Sequence, residues 1–128
     1  MLAGGTGITP MLQIISAVMR EVGGASQSRI EMSLIFANKS EDDILLRDMI
    51  EKLAAGNPNF KFHYTLDSAP VGWGHSEGFI TKEMVSEHMP APGADTLILM
   101  CGPPPMLKFA CLPALEALGF SDDMHFSF

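Results

Sequence analysis

Short apolar segments alternate along this chain with segments whose apolar residues recur at helical spacing, and this alternation constrains the fold more than any other feature. Strands that alternate with helices pair in parallel, and the helices cover both faces of the sheet. The sequence therefore predicts an α/β fold with a doubly wound, parallel, five-stranded sheet in the order 3-2-1-4-5. The predicted strands are residues 1–3, 32–38, 60–66, 96–101 and 124–128.

The first predicted strand is short for its position. It must end before Gly4, and residues 1–3 are all that precede that glycine. A strand at the centre of a sheet is expected to be longer, since strands commonly run about 5–6 residues. We therefore expect the chain to be the C-terminal part of a longer polypeptide.

Capping residues set the expected helix boundaries in the first half of the chain. Thr9 is predicted to be the N-cap of the first helix, with Pro10 at the first helical position and the glycines at 23–24 ending the helix. The segment SEDD, at residues 40–43, resembles a capping box. It predicts a second helix that runs to about Ala55.

Two further helices are expected in the second half of the chain. Thr81 is predicted to cap a short helix that ends before Pro90. The segment after GPPPM is predicted to be helical over about residues 106–118, with Gly119 ending it. Because proline lacks an N–H, Pro113 is expected to kink this helix or split it in two.

Composition and charge exclude several classes of protein. Eight basic residues face fifteen acidic ones, for a net charge of −7 without a Lys/Arg cluster, so neither nucleic acid nor an anionic membrane surface is an expected partner. The longest apolar stretch is too short to span a bilayer, and no signal peptide is apparent. Cys101 and Cys111 form no disulfide framework or zinc motif, which favours a reducing, intracellular compartment. The histidines are scattered without metal-ligand spacing, and no metal site is predicted; they are His63, His75, His88 and His125.

The segment GGTGITPM, at residues 4–11, joins the first predicted strand to the first helix. Free N–H groups at a helix N-terminus bind phosphate well, so the loop predicts a nucleotide site. It is not a P-loop, because no Gly-Lys-Ser/Thr follows, and Pro10 stands in place of the third glycine of a Rossmann fingerprint. Asn38 and Lys39 stand where a Rossmann acid is expected. The alternative is a tight strand–helix turn that requires a positive φ.

The segment CGPPPM, at residues 101–106, follows the fourth predicted strand. In the predicted order, strands one and four are neighbours at the topological switch point, where sheets of this class bind ligands. Three successive prolines have no N–H donors and form a stiff wall that suits a flat ligand. We expect Cys101 to take part in this site, the alternative being inert packing.

Asp67 leaves the third predicted strand at the same edge of the sheet. A carboxylate there accepts hydrogen bonds from a ribose diol and repels a 2′-phosphate, while the alternative is a turn aspartate beside Ser68. Lys61 and Lys82 are the closest basic residues in sequence, so no cation is expected to relieve that repulsion. The sequence shows no Ser/His/Asp set and no paired carboxylates, which suits hydride transfer by a cofactor.

Five segments taken together resemble one family. GGTGITPM, ANKSEDDILLR, YTLDSAP, GFITKEM and LMCGPPPM follow one another as in the nicotinamide-binding half of NADH–cytochrome-b5 reductases, and the resemblance covers nearly the whole chain. More distantly, the chain resembles the reductase part of assimilatory nitrate reductases and other ferredoxin-reductase-like flavoenzymes. The resemblance implies an oxidoreductase that moves hydride from NADH to FAD and then single electrons to a haem protein such as cytochrome b5.

The resemblance also implies a site, residue by residue. It assigns catalytic roles to Thr6, near the flavin, and to Cys101, beside the nicotinamide ring. It assigns Asp67 and Phe79 to the adenine ribose. The other cofactor-binding residues that it implies are Gly4, Gly5, Gly7, Thr9, Pro10, Gly102, Pro103, Pro104, Pro105 and Met106.

In that family a flavin-binding domain precedes the segment that this chain resembles. The resemblance therefore implies that residues 1–128 are an NADH-binding domain and that an N-terminal domain of the same polypeptide holds most of the FAD. It implies an intracellular, cytosol-facing location, with any membrane anchor in that N-terminal region. Two alternatives stay open: the reductase segment of a nitrate-reductase-like haem enzyme, and a stand-alone nucleotide-binding module without redox activity.

Overall fold

The computed structural model describes residues 1–22 and 30–128. A π-helical turn, Leu107–Cys111, joins the last two helices, and 3₁₀ turns occur at Gly5–Gly7, Glu41–Asp43 and Asp122–Met124. The strands and α-helices are, in chain order, β1 (Leu2–Gly4), α1 (Ile8–Val22), β2 (Met32–Asn38), α2 (Arg47–Gly56), β3 (Phe60–Leu66), β4 (Ser76–Glu77), α3 (Lys82–His88), β5 (Ile98–Cys101), α4 (Pro104–Met106), α5 (Leu112–Ala117) and β6 (His125–Ser127).

The described strands form one parallel sheet in the order β4-β3-β2-β1-β5-β6. The prediction of five strands in the order 3-2-1-4-5 is therefore corrected, because the sheet has six strands. The additional strand is β4, whose residues Ser76 and Glu77 pair with Thr65 and Leu66 at the outer edge of the sheet. Two polar residues carry no apolar pattern, so the sequence does not indicate this strand. The five remaining strands keep the predicted relative order, with β1 between β2 and β5.

Helices pack against both faces of the sheet and bury a separate core on each. On one face, α1 and α2 cover a core that includes Ile15 and Phe36. On the other, α3 and α5 cover a core that includes Ile35, Val85 and Leu115. Ile35 and Phe36 are neighbours on β2 and are both fully buried, as expected for a central strand covered on two sides. Each such side chain contributes about 1.5–3 kcal/mol when buried.

The first helix begins earlier than the sequence predicts. The 3₁₀ turn Gly5–Gly7 leads directly into α1, so Thr9 and Pro10 lie in the first helical turn and the prediction of Thr9 as N-cap is wrong. Gly5 permits this early start, because its φ of 53° lies in the left-handed region that side chains rarely adopt. The predicted end of this helix, at residues 23–24, lies outside the described residues.

The second predicted helix is also corrected. The capping box of Ser40 and Asp43 forms, with the Ser40 N–H donating to Asp43 Oδ2 at 3.0 Å, but it caps only the 3₁₀ turn Glu41–Asp43. The chain then extends through Ile44, which is buried, and turns through the left-handed region at Leu46 (φ 55°) before α2 begins. Burial of Ile44 in the core overrides the helical pattern of this segment.

The remaining helix boundaries follow the sequence closely. The Thr81 hydroxyl accepts a hydrogen bond from the Met84 N–H at 3.2 Å, so it caps α3 as predicted. In the last helix, the π-helical turn ends directly before α5, and Pro113 therefore interrupts the helix by widening one turn. Gly119 ends the helix as predicted, with a φ of 88° and its N–H donating to the Glu116 carbonyl oxygen.

The described part of the chain contains neither a membrane-spanning helix nor a metal cluster. No helix in residues 1–22 and 30–128 has the length and apolarity that crossing a bilayer requires. In the same residues, no three His, Cys, Asp or Glu side chains are grouped so that they could hold a metal ion. Cys101 and Cys111 are free thiols, and burial raises the pKa of Cys111 to about 12. Cys111 is therefore an unreactive core residue.

Candidate functional site

The glycine-rich loop and the proline-rich turn meet where β1 and β5 end side by side. Ala3 pairs with Cys101 in the sheet, so the two loops leave adjacent strands at the same edge. A Cβ at Gly4 would lie 2.6 Å from Met106 Sδ, and a Cβ at Gly7 would lie 2.0 Å from the Cys101 carbonyl oxygen. The predicted juxtaposition of the two segments is confirmed, and their close contact requires a glycine at position 7, where the overlap is with backbone atoms.

A cleft of about 700 Å³ lies beside this contact, at the carboxyl ends of the strands. Its volume is in the range of small-molecule sites, about 300–1,000 Å³. The lining is mostly apolar and carries three charged side chains, Lys39, Asp43 and Asp67. The residues that line it are Gly4, Gly5, Thr6, Ala37, Asn38, Lys39, Asp43, Leu45, Asp67, Phe79, Ile80, Pro103, Pro105, Met106, Phe109 and Ala110.

The structure brings part of the predicted site to this cleft. The predicted residues that line it are Gly4, Gly5, Thr6, Asp67, Phe79, Pro103, Pro105 and Met106. The predicted residues that do not line it are Gly7, Thr9, Pro10, Cys101, Gly102 and Pro104. Gly7 and Gly102 lie in the contact between the two loops, where a Cβ would meet Cys101 or Met106. The roles of all these residues toward a ligand stay predictions.

Cys101 is half-buried at the end of β5, and its side chain packs with the core beneath α1 and α2. The cleft is lined instead by Ile80 and Met106, which pack with the core beneath α3 and α5. The Cys101 side chain therefore packs on the other face of the sheet from Ile80 and Met106, and it does not line the cleft. Its contact with a nicotinamide ring stays a prediction.

A loop over residues 67–79 brings Asp67 and Phe79 to the same cleft. The loop leaves β3 with the Asp67 N–H donating to the Asn38 carbonyl oxygen at 3.1 Å. It returns to β3 with the Gly78 N–H donating to the Leu66 carbonyl oxygen at 2.7 Å. These backbone hydrogen bonds close the loop at the end of β3 and set both side chains at the carboxyl edge of the sheet.

Two phenylalanine rings line the cleft, and the sequence indicates only one of them as a site residue. Phe79 is 76% exposed and Phe109 is 71% exposed, although large apolar side chains usually lie in the core. Phe109 lies in the π-helical turn shortly after Met106, so its position follows only from the register of that helix. Exposed aromatic faces beside an apolar cleft suit stacking against a flat ring.

Lys39 also lines the cleft, which corrects the expectation that no basic residue lies near Asp67. The Ser68 N–H donates to the Lys39 carbonyl oxygen at 3.0 Å, so the residues that follow β2 and β3 run side by side. The proximity of Lys39 to Asp67 follows from the register of β2 and β3, in which Asn38 pairs with Leu66. Distance along the sequence alone led instead to the expectation that Lys61 and Lys82 are the nearest basic residues.

Three of the four histidines come together on the outer part of the sheet, which their sequence spacing does not indicate. His63 Nε2 lies 2.7 Å from Ser76 Oγ, and the Nδ1 atoms of His63 and His75 lie 3.4 Å apart. The His88 ring stacks on the His63 ring, with 3.7 Å between ring centroids. This histidine cluster, His63, His75 and His88, joins β3 to the 67–79 loop and to α3.

Arg47 and Trp73 hold the same loop from the side of α2. Arg47 forms ion pairs with Glu41 at 2.6 Å and with Glu51 at 2.8 Å, and hydrogen bonds to the two carboxylates raise its pKa. Its guanidinium carbon lies 5.6 Å from the Trp73 ring centroid, within cation–π range. The Trp73 indole N–H donates to the Ser76 carbonyl oxygen at 3.0 Å. The loop that carries Asp67 and Phe79 is thus anchored on two sides.

The histidine cluster is expected to make the protein less stable in mild acid. Burial, and then His88 and His75, lower the pKa of His63 to about 4. Burial, and then Arg47, lower the pKa of His75. Histidine in an unfolded chain has a pKa of about 6.5, so the unfolded state binds more protons in acid. The free energy of unfolding is therefore expected to fall as the pH drops from about 6.5 toward 4.

Urea unfolding across this pH range measures the effect. His63→Phe keeps an aromatic ring and removes the titrating group, so we expect it to flatten the pH dependence. His125→Gln, on β6 and outside the cluster, is the matched control and should leave the dependence in place. If the free energy of unfolding changed equally with pH in both variants, the histidine cluster would not be the cause of the acid sensitivity.

A second concavity, of about 810 Å³, lies at the opposite end of the sheet. Its lining includes Ser33, Lys61 and Leu97, which are near the starts of β2, β3 and β5, together with Asp95. Open α/β sheets bind ligands at the carboxyl ends of their strands. We therefore assign the candidate site to the first cleft.

A parallel sheet covered by helices, with a glycine-rich strand–helix loop and a cleft at the carboxyl ends of its strands, defines a nucleotide-binding domain of the doubly wound class. Residues 1–112 match the family model described as "Oxidoreductase NAD-binding domain". The chain belongs to the oxidoreductase NAD-binding domain family.

The resemblance to NADH–cytochrome-b5 reductases is confirmed by comparison with known proteins. The chain is 51% identical to NADH-cytochrome b5 reductase 3 of Rattus norvegicus over 129 residues, which cover 100% of the chain and 42% of that protein. It is 50% identical to NADH-cytochrome b5 reductase 2 of Homo sapiens, over 100% of the chain and 45% of that protein. The chain thus spans less than half the length of these relatives. The cytochrome b5 reductase domain of Ulva prolifera nitrate reductase superimposes with a TM-score of 0.91 at 42% identity, over 99% of this chain and 46% of that one.

Proposed function

We propose that this chain is the NADH-binding domain of a flavoprotein oxidoreductase of the NADH–cytochrome-b5 reductase type. The observation that carries the proposal is the cleft that joins the glycine loop, Asp67 and Phe79 in one site at the carboxyl edge of the sheet. The parent enzyme moves hydride from NADH to FAD and then single electrons to a haem-protein acceptor such as cytochrome b5. The sequence identity to two named reductases supports this assignment.

The residues of the cleft fit a dinucleotide. At Gly5 no heavy atom lies within 4 Å of the place where a Cβ would stand, so a pyrophosphate can approach the backbone there. Asp67 supplies a carboxylate for a ribose diol, and Phe79 and Phe109 supply faces for an adenine ring. Asn38 also lines the cleft, and its buried Nδ2 has no hydrogen-bond partner in residues 1–22 and 30–128. A bound nucleotide can supply acceptors for such donors.

This chain's own part in the reaction is to bind and orient NADH. FAD, when bound mainly by another domain of the same polypeptide, supplies the hydride acceptor. Hydride transfer requires no acid or base from the cleft, and the mostly apolar lining suits a flat, uncharged ring. We assign Thr6, Pro103 and Pro105, which line the cleft, to the nicotinamide end, with the half-buried Cys101 at the end of the adjacent strand β5.

The proposal is tested by comparing the 128-residue chain with the intact protein. We expect the isolated chain to bind NADH weakly and to turn nothing over, because the flavin is held elsewhere. The intact protein is expected to oxidise NADH with ferricyanide as acceptor. Fluorescence titration with NADH and an anaerobic ferricyanide assay measure the two properties.

Each outcome of this comparison has a consequence. Ferricyanide reduction at an enzyme-like rate by the isolated, FAD-free chain would contradict the division of roles. NADH binding by the intact protein without any oxidation would instead support a stand-alone nucleotide-binding module.

A second candidate is the reductase segment of a nitrate-reductase-like haem enzyme. The observation that favours it is the close superposition on the cytochrome b5 reductase domain of an algal nitrate reductase, with a TM-score of 0.91. NADH-dependent nitrate reduction by the intact protein would establish this candidate. Reduction of cytochrome b5 without nitrate reduction would exclude it.

A further inference from the structure

Lys39 and Asp67 leave adjacent parallel strands at one corner of the cleft. The Asp67 N–H donates to the Asn38 carbonyl oxygen at 3.1 Å, and the Ser68 N–H donates to the Lys39 carbonyl oxygen at 3.0 Å. Both side chains line the same cleft. A ligand group held by the Asp67 carboxylate is therefore also within reach of the long, flexible Lys39 side chain.

The Lys39 ammonium group is available to a ligand in the part of the chain that the structure describes. The Lys39 side chain is exposed, and it forms no ion pair within residues 1–22 and 30–128. Asp43, the other carboxylate of the cleft, already accepts hydrogen bonds from the Ser40 N–H at 3.0 Å and from the Ser40 hydroxyl at 2.7 Å. Among the residues that line the cleft, Lys39 is the one basic side chain.

We propose that Lys39 is a specificity-determining residue that gives the cleft affinity for a 2′-phosphate and so lowers the preference of the protein for NADH over NADPH. This inference rests on the proposed function, because it concerns the same adenosine end of the cofactor. Asp67 favours the diol of NADH and repels the 2′-phosphate of NADPH. Lys39 attracts that phosphate and offsets the repulsion, so the discrimination between the two cofactors is smaller than Asp67 alone would set.

The contribution of Lys39 to 2′-phosphate binding can be measured without hydride transfer by using two small nucleotides as ligands. Adenosine 2′,5′-bisphosphate carries the 2′-phosphate, and 5′-AMP differs from it only in carrying the free diol, so the ratio of their dissociation constants reports the 2′ position alone. In the intact protein, Lys39→Gln is expected to shift this ratio against the 2′-phosphate by roughly fivefold to tenfold, the range for one partly exposed charge-assisted contact. Lys39→Arg should restore most of the wild-type ratio, and raising the ionic strength should shrink the difference.

Lys61→Gln is the matched control. It makes the same charge change at the start of β3, about 20 Å along the strand from Asp67, and should leave the ratio within twofold. Lys39 is exposed, so its substitutions are expected to fold, and equal melting temperatures check this.

The outcomes separate this inference from the proposed function. If 5′-AMP and NADH fail to bind the intact protein, the assignment of the cleft to NADH is wrong. If 5′-AMP binds but Lys39→Gln leaves the ratio of dissociation constants unchanged, the role of Lys39 is wrong and the NADH site stands. The role of Lys39 is also wrong, and the NADH site still stands, if Lys61→Gln shifts the ratio as much as Lys39→Gln, because a general charge effect then explains the shift.

Discussion

We expect the Gly7→Ala variant to lose about 3 kcal/mol or more of the free energy of unfolding. A Cβ at this position would lie 2.0 Å from the Cys101 carbonyl oxygen and 2.5 Å from the Cys101 carbonyl carbon. Both atoms belong to the backbone of β5, so no side-chain rotation can relieve the overlap. The 3₁₀ turn and the end of β5 must separate, and the wall of the cleft moves with them. Loss of NADH binding is therefore expected together with the loss of stability.

Two other glycines provide matched controls for urea unfolding. Gly5→Ala places a Cβ in open space but at a φ of 53°, so its cost is the left-handed conformation alone, about 1–2 kcal/mol. Gly56→Ala, at the end of α2, meets nothing within 4 Å and should be close to neutral. The expected order of destabilisation is Gly7→Ala, then Gly5→Ala, then Gly56→Ala. A Gly7→Ala variant as stable as Gly56→Ala would contradict the close contact between the loops.

The second large effect concerns cofactor choice. Replacing Asp67 with threonine is expected to narrow the ratio of kcat/KM for NADH over NADPH by roughly one to two orders of magnitude. The carboxylate accepts charge-assisted hydrogen bonds from the ribose diol, each worth about 1.5–3 kcal/mol, and it repels a 2′-phosphate. Threonine keeps a hydroxyl and removes the charge. With Lys39 still in place, the variant keeps a cation for the 2′-phosphate and lacks the carboxylate that repels it.

Steady-state kinetics of the intact protein with both cofactors measure this ratio. Asp95→Thr, which removes a carboxylate from the second concavity, is the matched control and should leave the ratio unchanged. If Asp67→Thr also left it unchanged, Asp67 would be only a turn residue and the selectivity would lie elsewhere in the protein.

The parts of the fold that depend on local pattern could be predicted from the sequence. β2 and β3 occur at the predicted residues, because each is rich in apolar, β-branched or aromatic side chains and is bounded by polar and turn residues. Thr81 and Gly119 act as predicted because capping is decided within a few residues of chain. The contact between the glycine loop and the proline turn could also be predicted, since the alternation of strands and helices determines which strands are neighbours at the switch point.

The parts that depend on contacts across the sheet could not be predicted. β4 exists because the 67–79 loop folds back on the end of β3, and nothing in Ser76 or Glu77 signals a strand. Ile44 is extended although its segment has a helical pattern, because its side chain is buried in the core. Lys39 and the histidine cluster likewise depend on the register of β2, β3 and α3. These contacts determine where the Lys39 charge and the titrating histidines lie. The chemistry of the site was therefore less predictable than its position.

The most direct test of the central claim is a crystal structure of the intact protein with NAD⁺ bound. We expect the adenine between Phe79 and Phe109, the ribose diol at Asp67 and the pyrophosphate against the backbone of Gly5. Nucleotide bound in the concavity at the opposite end of the sheet, or away from the glycine loop altogether, would contradict the assignment of this cleft as the NADH site.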